Sequence, residues 1–330
     1  MSDCRQRKRS LQLGNLTLES SVFFPSVSSV KTALKPKDYV ALLNALSEVN
    51  KQYLVSAFDL CQEDSTDREF FRDALLKAAE TGTVVLMDSG NYESYWKDAR
   101  TTWTQNHFHQ ALGDYPCALA FAFDEQQPPD DFDTHIQLIC DRYALDQSFA
   151  PGIIIPIIHG NADSLPALCA AVASSCGISI LAVAERQLGD GVFDRVQTVS
   201  AIRKSLDETG QNVGLHLLGT GNPISMALYS LGGADSFDGL EWCQTVVDHE
   251  SGLLHHLSQA DFFSRQTSWH EMDLSFHAKT LAHNLEFYNG WLSRLRGSFE
   301  KSEVLEFCRL NFPPRIFTQC NEVLGWNVAK

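Results

Sequence analysis

The sequence predicts an α/β protein: a (β/α)8 TIM barrel with a helical C-terminal extension. Three observations predict it. Short apolar or β-branched runs alternate with amphipathic segments along nearly the whole chain, there are eight such runs, and several end on a polar or acidic residue, as in VVLMDSGNY (84–92). Continuous apolar strands alternating with helices imply a parallel sheet buried on both faces. Eight units are what the barrel needs, and barrels carry functional residues where their strands end. A doubly wound open sheet is the competitor, but no GxGxxG follows the first strand.

In order, strands are expected at 22–30, 53–60, 83–90, 117–125, 152–160, 178–185, 212–221 and 235–241. Between them KDYVALLNALSEV, REFFRDALLKAAE, FDTHIQLICDRYAL, SLPALCAAVASS and VFDRVQTVSAIRKSLDE place apolar residues at i, i+3, i+4 and i+7. Pro223 and Ser225 are expected to open a short helix after the seventh strand. No repeat, low-complexity tract or linker divides the chain. A single domain over 1–330 is expected, with an N-terminal arm (1–20), the barrel (about 21–250) and the helical extension (about 251–330).

With 330 residues, 44% hydrophobic and 20% charged, the chain reads as a globular protein of enzyme size. No run approaches the roughly 18 apolar residues of a membrane span. The basic start MSDCRQRKRS lacks a following apolar h-region, so a cytoplasmic address without membrane contact is expected. The nine cysteines form no CxxC or CxC pair and read as reduced, small hydrophobes without a disulfide framework. A net charge of −15 argues against extensive nucleic-acid contact by this chain alone, and the run Arg5 to Arg9 reads as a solvated tail.

At the expected rim stand Asp88-Ser89-Gly90, Asp124-Glu125, His159-Gly160-Asn161, Glu185, Gly219-Thr220-Gly221 and Asp238. One Asp after a strand is ordinarily a turn residue or helix N-cap. Several gathered on one rim cost stability unless they serve a purpose. With no evident cation beside them, they suit oxygen ligation of magnesium or calcium, or chemistry at an anomeric carbon with one carboxylate as nucleophile and another moving protons. Glycines 90, 219 and 221 let a flat ligand approach backbone amides, and Tyr92 offers it an aromatic face. A planar heterocycle is favoured over a sugar polymer.

These residues resemble the tRNA-guanine transglycosylases, which exchange guanine for a 7-deazaguanine. DSGNYES is similar to the family's DSGGYQ-like segment, AFAFDEQQPP to its FDE segment, IIHGN to VQGG and ILAVAE to GGLAVGE. LLGTGNP is similar to LMGVGTP, GADSFDG to GxDxFD and LAHNLEFY to SIHNLHFY, all in the family's order from about residue 20 to 295. The resemblance implies Asp238 as the nucleophile forming a covalent glycosyl intermediate and Asp88 as general acid/base. It implies Asp124 as acceptor for the base's N–H edge, with Ser89 assisting, Tyr92 and Leu218 as the two faces of the base site and Gly219 beside it. No cofactor is implied.

The chain departs from the family pattern at several places. His159 stands where the family has its base-reading glutamine, Asn91 and Glu93 replace a glycine and a glutamine, and Ile180 and Ala184 fill positions usually glycine. After Asp238 the sequence runs GLEWCQTVVDHE without the family's anticodon-holding arginines. Of the zinc ligands, His283 matches the family histidine but the segment before it (251–280) contains no cysteine, so the zinc subdomain reads as degenerate. His255, His256, His270 and His277 show no zinc spacing, and no metal is expected. The expected activity is therefore base exchange on guanine or 7-deazaguanine with an altered acceptor: DNA, another RNA or a partner-linked base. Relatives of that kind occur in bacterial modification and defence gene clusters.

The alternative is a non-catalytic deazaguanine-binding or scaffold subunit. It would meet a protein partner around Trp269, Phe276, Phe287, Tyr288 and Trp291, aromatics that equally fit a helical core. A barrel glycosidase or metal-dependent hydrolase explains the rim but not the ordered motifs. The family's dimer uses the region that diverges here, which leaves a homodimer open.

Overall fold

All eight expected strands form, each shorter than its apolar run, and each is followed by at least one helix. The structure, a computed structural model, describes residues 10–62 and 65–326. The basic run Arg5 to Arg9 lies outside them. In chain order the elements are β1 (Ser10–Leu13), β2 (Leu16–Glu19), β3 (Val22–Val27), α1 (Pro36–Ala45), β4 (Gln52–Ser56), α2 (Ala57–Gln62), α3 (Ser65–Glu80), β5 (Val84–Asp88), α4 (Asn91–Trp96) and α5 (Gln105–Asp114). There follow β6 (Leu119–Phe121), α6 (Phe132–Phe149), β7 (Ile153–Ile155), β8 (Ile157–Ile158), α7 (Leu165–Cys176), β9 (Ile180–Ala184), α8 (Val192–Glu208), β10 (Gly214–Leu218) and α9 (Pro223–Gly232). The chain continues through β11 (Ser236–Gly239), α10 (Glu241–Gln244), β12 (Thr245–Val247), β13 (Leu254–His256), α11 (Ala260–Phe263), α12 (Phe276–Glu300), α13 (Val304–Asn311) and α14 (Pro314–Val323).

The main sheet is parallel and runs β7-β6-β5-β4-β3-β11-β10-β9-β8. Its end strands, β7 and β8, are consecutive halves of the expected fifth strand, split by Pro156. Proline has no N–H for the ladder. The Ile155 carbonyl accepts from Ala122 N at 2.9 Å, while the Pro156 carbonyl turns to Ala182 N at 2.9 Å. One segment thereby touches both ends of the sheet, which curls into a nearly closed, TIM-barrel-like cylinder. The second strand also ends early. Its expected AFDL tail is the helix α2, entered directly at Ala57.

Side chains alternate across a strand, and here one set points into the cylinder. Val22 and Phe24, Leu54, Leu86, Leu119 and Phe121, Ile155 and Ile157, Ile180 and Ala182 form one buried interior cluster. The opposite set, such as Phe23, Val55, Met87, Val183 and Phe237, packs beneath the surrounding helices in a second core. The interior columns become polar as they rise: Val84, Leu86, Asp88 on β5, and Ser236 then Asp238 on β11. An apolar run ends on a carboxylate because that residue is the first of its column to emerge above the packed interior.

The arm 1–20 contains a hairpin, turned at Gly14-Asn15 (Gly14 φ 58°). Leu11, Leu13 and Leu18 join the interior cluster, and Leu11 and Gly14 abut Gly214 and Ile153, where strands begin. The hairpin seals the cylinder's lower end. At the other end of the chain, Phe287, Tyr288 and Trp291 of α12 are buried at 3%, 3% and 1% exposure, whereas Phe276 is 44% exposed and Trp269 is half-buried.

Cys140 on α6 and Cys176 on α7 are joined in a disulfide, their Cα atoms 5.8 Å apart. This corrects the expectation of reduced thiols at these two positions. The two helices are packed neighbours, a proximity that 36 residues of separation conceal. No helix among the described residues is long and apolar enough to cross a membrane.

Candidate active site

A cavity of about 870 Å³ opens at the C-terminal ends of the strands. Asp88, Ser89, Tyr92, Asp124, His159, Leu218, Gly219 and Asp238 all line it. These eight come from β5, α4, β10, β11 and the turns after β5, β6, β8 and β10, whereas Gly90, Glu125, Gly160, Asn161, Thr220 and Gly221 do not line the cavity.

Asp238, 8% exposed, is held entirely by donors. Its Oδ1 accepts from His216 Nε2 at 3.0 Å and Gly219 N at 3.2 Å, and its Oδ2 from Ser26 Oγ at 2.9 Å. His216 lies opposite Ser236 in the β10–β11 register, and its Nδ1 is 2.8 Å from the Ser236 hydroxyl. A carboxylate cannot donate, so Nε2 carries the proton toward Asp238, while Nδ1 pairs with the Ser236 hydroxyl. Gly219 reaches this position with φ 73°, where a side chain is strained. Its N–H, expected to face a ligand, is directed at Asp238 instead.

Asp88 stands in different company. Its Oδ2 accepts from Gly90 N at 2.9 Å. Burial, followed by the charge of Glu93 and then those of Asp124 and Asp238, pushes its pKa well above the ordinary carboxylate range. Gly90 makes the turn with φ 87°, and a Cβ there would lie 2.6 Å from Phe58 Cβ. Glu93, on α4, points inward and is 3% exposed. It accepts from Ser28 Oγ at 2.5 Å and Ser56 Oγ at 2.7 Å. Burial and then Asp59 push it up to about 7. Asp59 in turn accepts from Ser29 N at 2.7 Å and from the Ser29 hydroxyl.

Asp124 is already contacted by protein donors. Asn91 Nδ2 lies 2.7 Å from Oδ1, while Gln126 Nε2 at 2.6 Å and His159 Nε2 at 2.5 Å reach Oδ2. His159 Nδ1 lies 3.2 Å from Gln187 Nε2. Both ring nitrogens of His159 are thus engaged, Nε2 at Asp124 and Nδ1 at Gln187. Below, the fully buried Asp146 accepts from Phe123 N, Gln105 Nε2 and His109 Nε2, each at 2.7 Å, fixing the turn that carries Asp124. Ser89 is 1% exposed and its carbonyl accepts from Trp103 Nε1 at 3.0 Å. Tyr92 is 40% exposed at the mouth.

The sequence reading missed His216, Ser26, Gln126 and Glu241. His216 was accessible by period 2, being two residues before Leu218 on the same face. Glu241 lies beneath Gly221 and Gly239, where a Cβ on either would collide with its carboxylate. Burial, then Glu185 and Asp238, raise it to about 7. The rim also carries cations that the sequence reading passed over: Lys31, Arg186 and Arg195. Arg195 pairs with Glu185 at 3.1 Å, and the Tyr229 hydroxyl donates to the same carboxylate at 2.7 Å. Among the described residues, no group of three or more His, Cys, Asp or Glu side chains is arranged to hold a metal. His283 is buried with Nε2 2.8 Å from the Val247 carbonyl.

No protein-family model matches the chain, and no curated protein matches it either.

Proposed function

We propose that this chain is a base-exchanging transglycosylase similar to the tRNA-guanine transglycosylases, handling guanine or a 7-deazaguanine. The observation that carries the reading is the meeting of Asp88, Asp124 and Asp238 with Tyr92 and Leu218 around one cavity large enough for a base and its sugar. The ordered motifs support it.

In this reading Asp238 attacks the anomeric carbon, and the glycosidic electron pair leaves with the base nitrogen. That nitrogen takes the proton of Asp88, whose raised pKa keeps it protonated at higher pH than an ordinary carboxylate. A glycosyl ester on Asp238 results. The incoming base returns a ring N–H proton to Asp88, its nitrogen bonds the anomeric carbon, and Asp238 departs as carboxylate. His216, Ser26 and Gly219 hold the attacking carboxylate in position. Three protein donors leave Asp124 about one of its four acceptor sites, so for it to accept two N–H groups of a base the exposed Gln126 amide must give way. The acceptor is other than the usual anticodon loop: DNA, another RNA or a partner-linked base.

One observation favours a second reading. Asn91, Gln126 and His159 crowd Asp124, as suits a deazaguanine-binding or scaffold subunit of a modification or defence complex that has lost turnover. Calorimetry with guanine, 7-deazaguanines and adenine separates the possibilities. Saturable binding of guanine or a deazaguanine, lost in Asp124→Ala, supports the base site. Asp238→Asn is then expected to retain base binding while exchange falls at least about a thousandfold. Binding with no exchange in wild type selects the second reading. No binding of any purine sinks the base-exchange reading and leaves only the scaffold form of the second.

A further inference from the structure

The cavity mouth bears an aromatic shelf of which the base site uses only Tyr92. α4 presents Tyr92, Tyr95 and Trp96 at 40%, 53% and 50% exposure, and all three line the mouth. Their rings meet edge to face, Tyr95 to Trp96 at 5.5 Å and Tyr92 to Trp96 at 6.4 Å between centroids. Cations are interleaved with them. Lys31 Nζ sits 3.7 Å from the Trp96 centroid, the Arg100 guanidinium 4.7 Å from that of Tyr95, and Arg186 is exposed on the same rim. In a chain of net charge −15 this placement is selective: carboxylates line the depth and cations stand at the lip.

We propose that this shelf seats a single-stranded polynucleotide beside the nucleotide that enters the cavity, with neighbouring bases on Trp96 and Tyr95 and phosphates at Lys31, Arg100 and Arg186. Aromatic faces interleaved with cations suit stacked bases and a phosphodiester backbone, with little demand on sequence. The strand is single because of depth. Asp238 is 8% exposed inside the barrel, and a base stacked in a duplex cannot bring its glycosidic carbon there without leaving the stack. The inference rests on the base-exchange reading, since it assigns an acceptor to that site.

The test is fluorescence anisotropy at low and rising salt with end-labelled single-stranded DNA and RNA of about 12 nucleotides and the same DNA as a blunt duplex. Wild type is expected to bind single strands more tightly than the duplex. Trp96→Ala and Tyr95→Ala should each weaken that binding about tenfold, and Lys31→Ala should lower the salt slope by about 0.7. Whichever single strand binds more tightly identifies the acceptor's sugar. Failure of both single strands to bind overturns the proposal, as does equal affinity of wild type and both aromatic variants. Base calorimetry on the same protein keeps the two readings apart. Strand binding through the shelf without base binding overturns base exchange and leaves the shelf, whereas base binding without strand binding does the reverse.

Discussion

The two walls of the cavity place carboxylates in opposite company. On the wall of β3, β10 and β11, Asp238 is surrounded by donors: an imidazole N–H, a hydroxyl and a backbone amide. On the wall of β5, α4 and the turn after β6, Asp88 faces Glu93 and Asp124, and burial with like charge pushes its proton affinity up. Residue type is the same and the surroundings differ. One wall raises the proton affinity of its acid, and the other fixes its carboxylate in place with donors.

Removing the donors from the first wall tests the contrast most severely. His216→Ala leaves Asp238 without its imidazole and the buried Ser236 hydroxyl without its partner. Base exchange is expected to fall by about ten- to a hundredfold in kcat with KM nearly unchanged. His216→Gln, which keeps a donor, should recover part of the loss. An unchanged kcat in the alanine variant would remove the first wall from the mechanism.

The second wall is tested by pH. Glu93 titrates at about 7 when folded against an ordinary 4.5, so between those values the folded chain binds more protons than the unfolded one. Its contribution is therefore fully present below about 4.5 and lost as pH rises through about 7. Glu241 acts in the same direction over the same window. Glu93→Gln should flatten the decline in unfolding free energy between pH 5 and 8 by on the order of 2 kcal/mol. A decline as steep as that of wild type, in urea titrations at both pH values, would show that this wall does not store the proton. The smallest effect is expected at the mouth. Gln126→Ala frees one acceptor position on Asp124 and should tighten guanine or deazaguanine binding by about three- to tenfold, measured by calorimetry.

The barrel was legible because a strand covered on both faces must be apolar along its length, and eight such runs cannot be hidden. The hairpin was equally written, since SLQLGNLTLE alternates leucines around a Gly-Asn turn, yet its residues were read as an arm. α4 left no such trace, because NYESYW makes too few turns to show a period. The rim aspartates were legible through strand ends. Of the cations, Lys31 and Arg186 directly follow the expected strands 22–30 and 178–185 and were open to the same reading, whereas Arg195 belongs to α8 and only folding brings it to the rim. Likewise Asp146 sits in a helix 22 residues beyond Asp124, and its hold on that turn exists only in three dimensions.

The hairpin under the barrel also bears on traffic. With Leu11, Leu13 and Leu18 packed into the interior from below, the described residues fill the barrel beneath the cavity and leave its mouth at the strand ends. A departing base and its replacement must then use the same doorway in turn, with the sugar waiting on the protein between them. Base exchange in such a dead-end chamber is expected to follow ping-pong kinetics, with the first product competing against the second substrate.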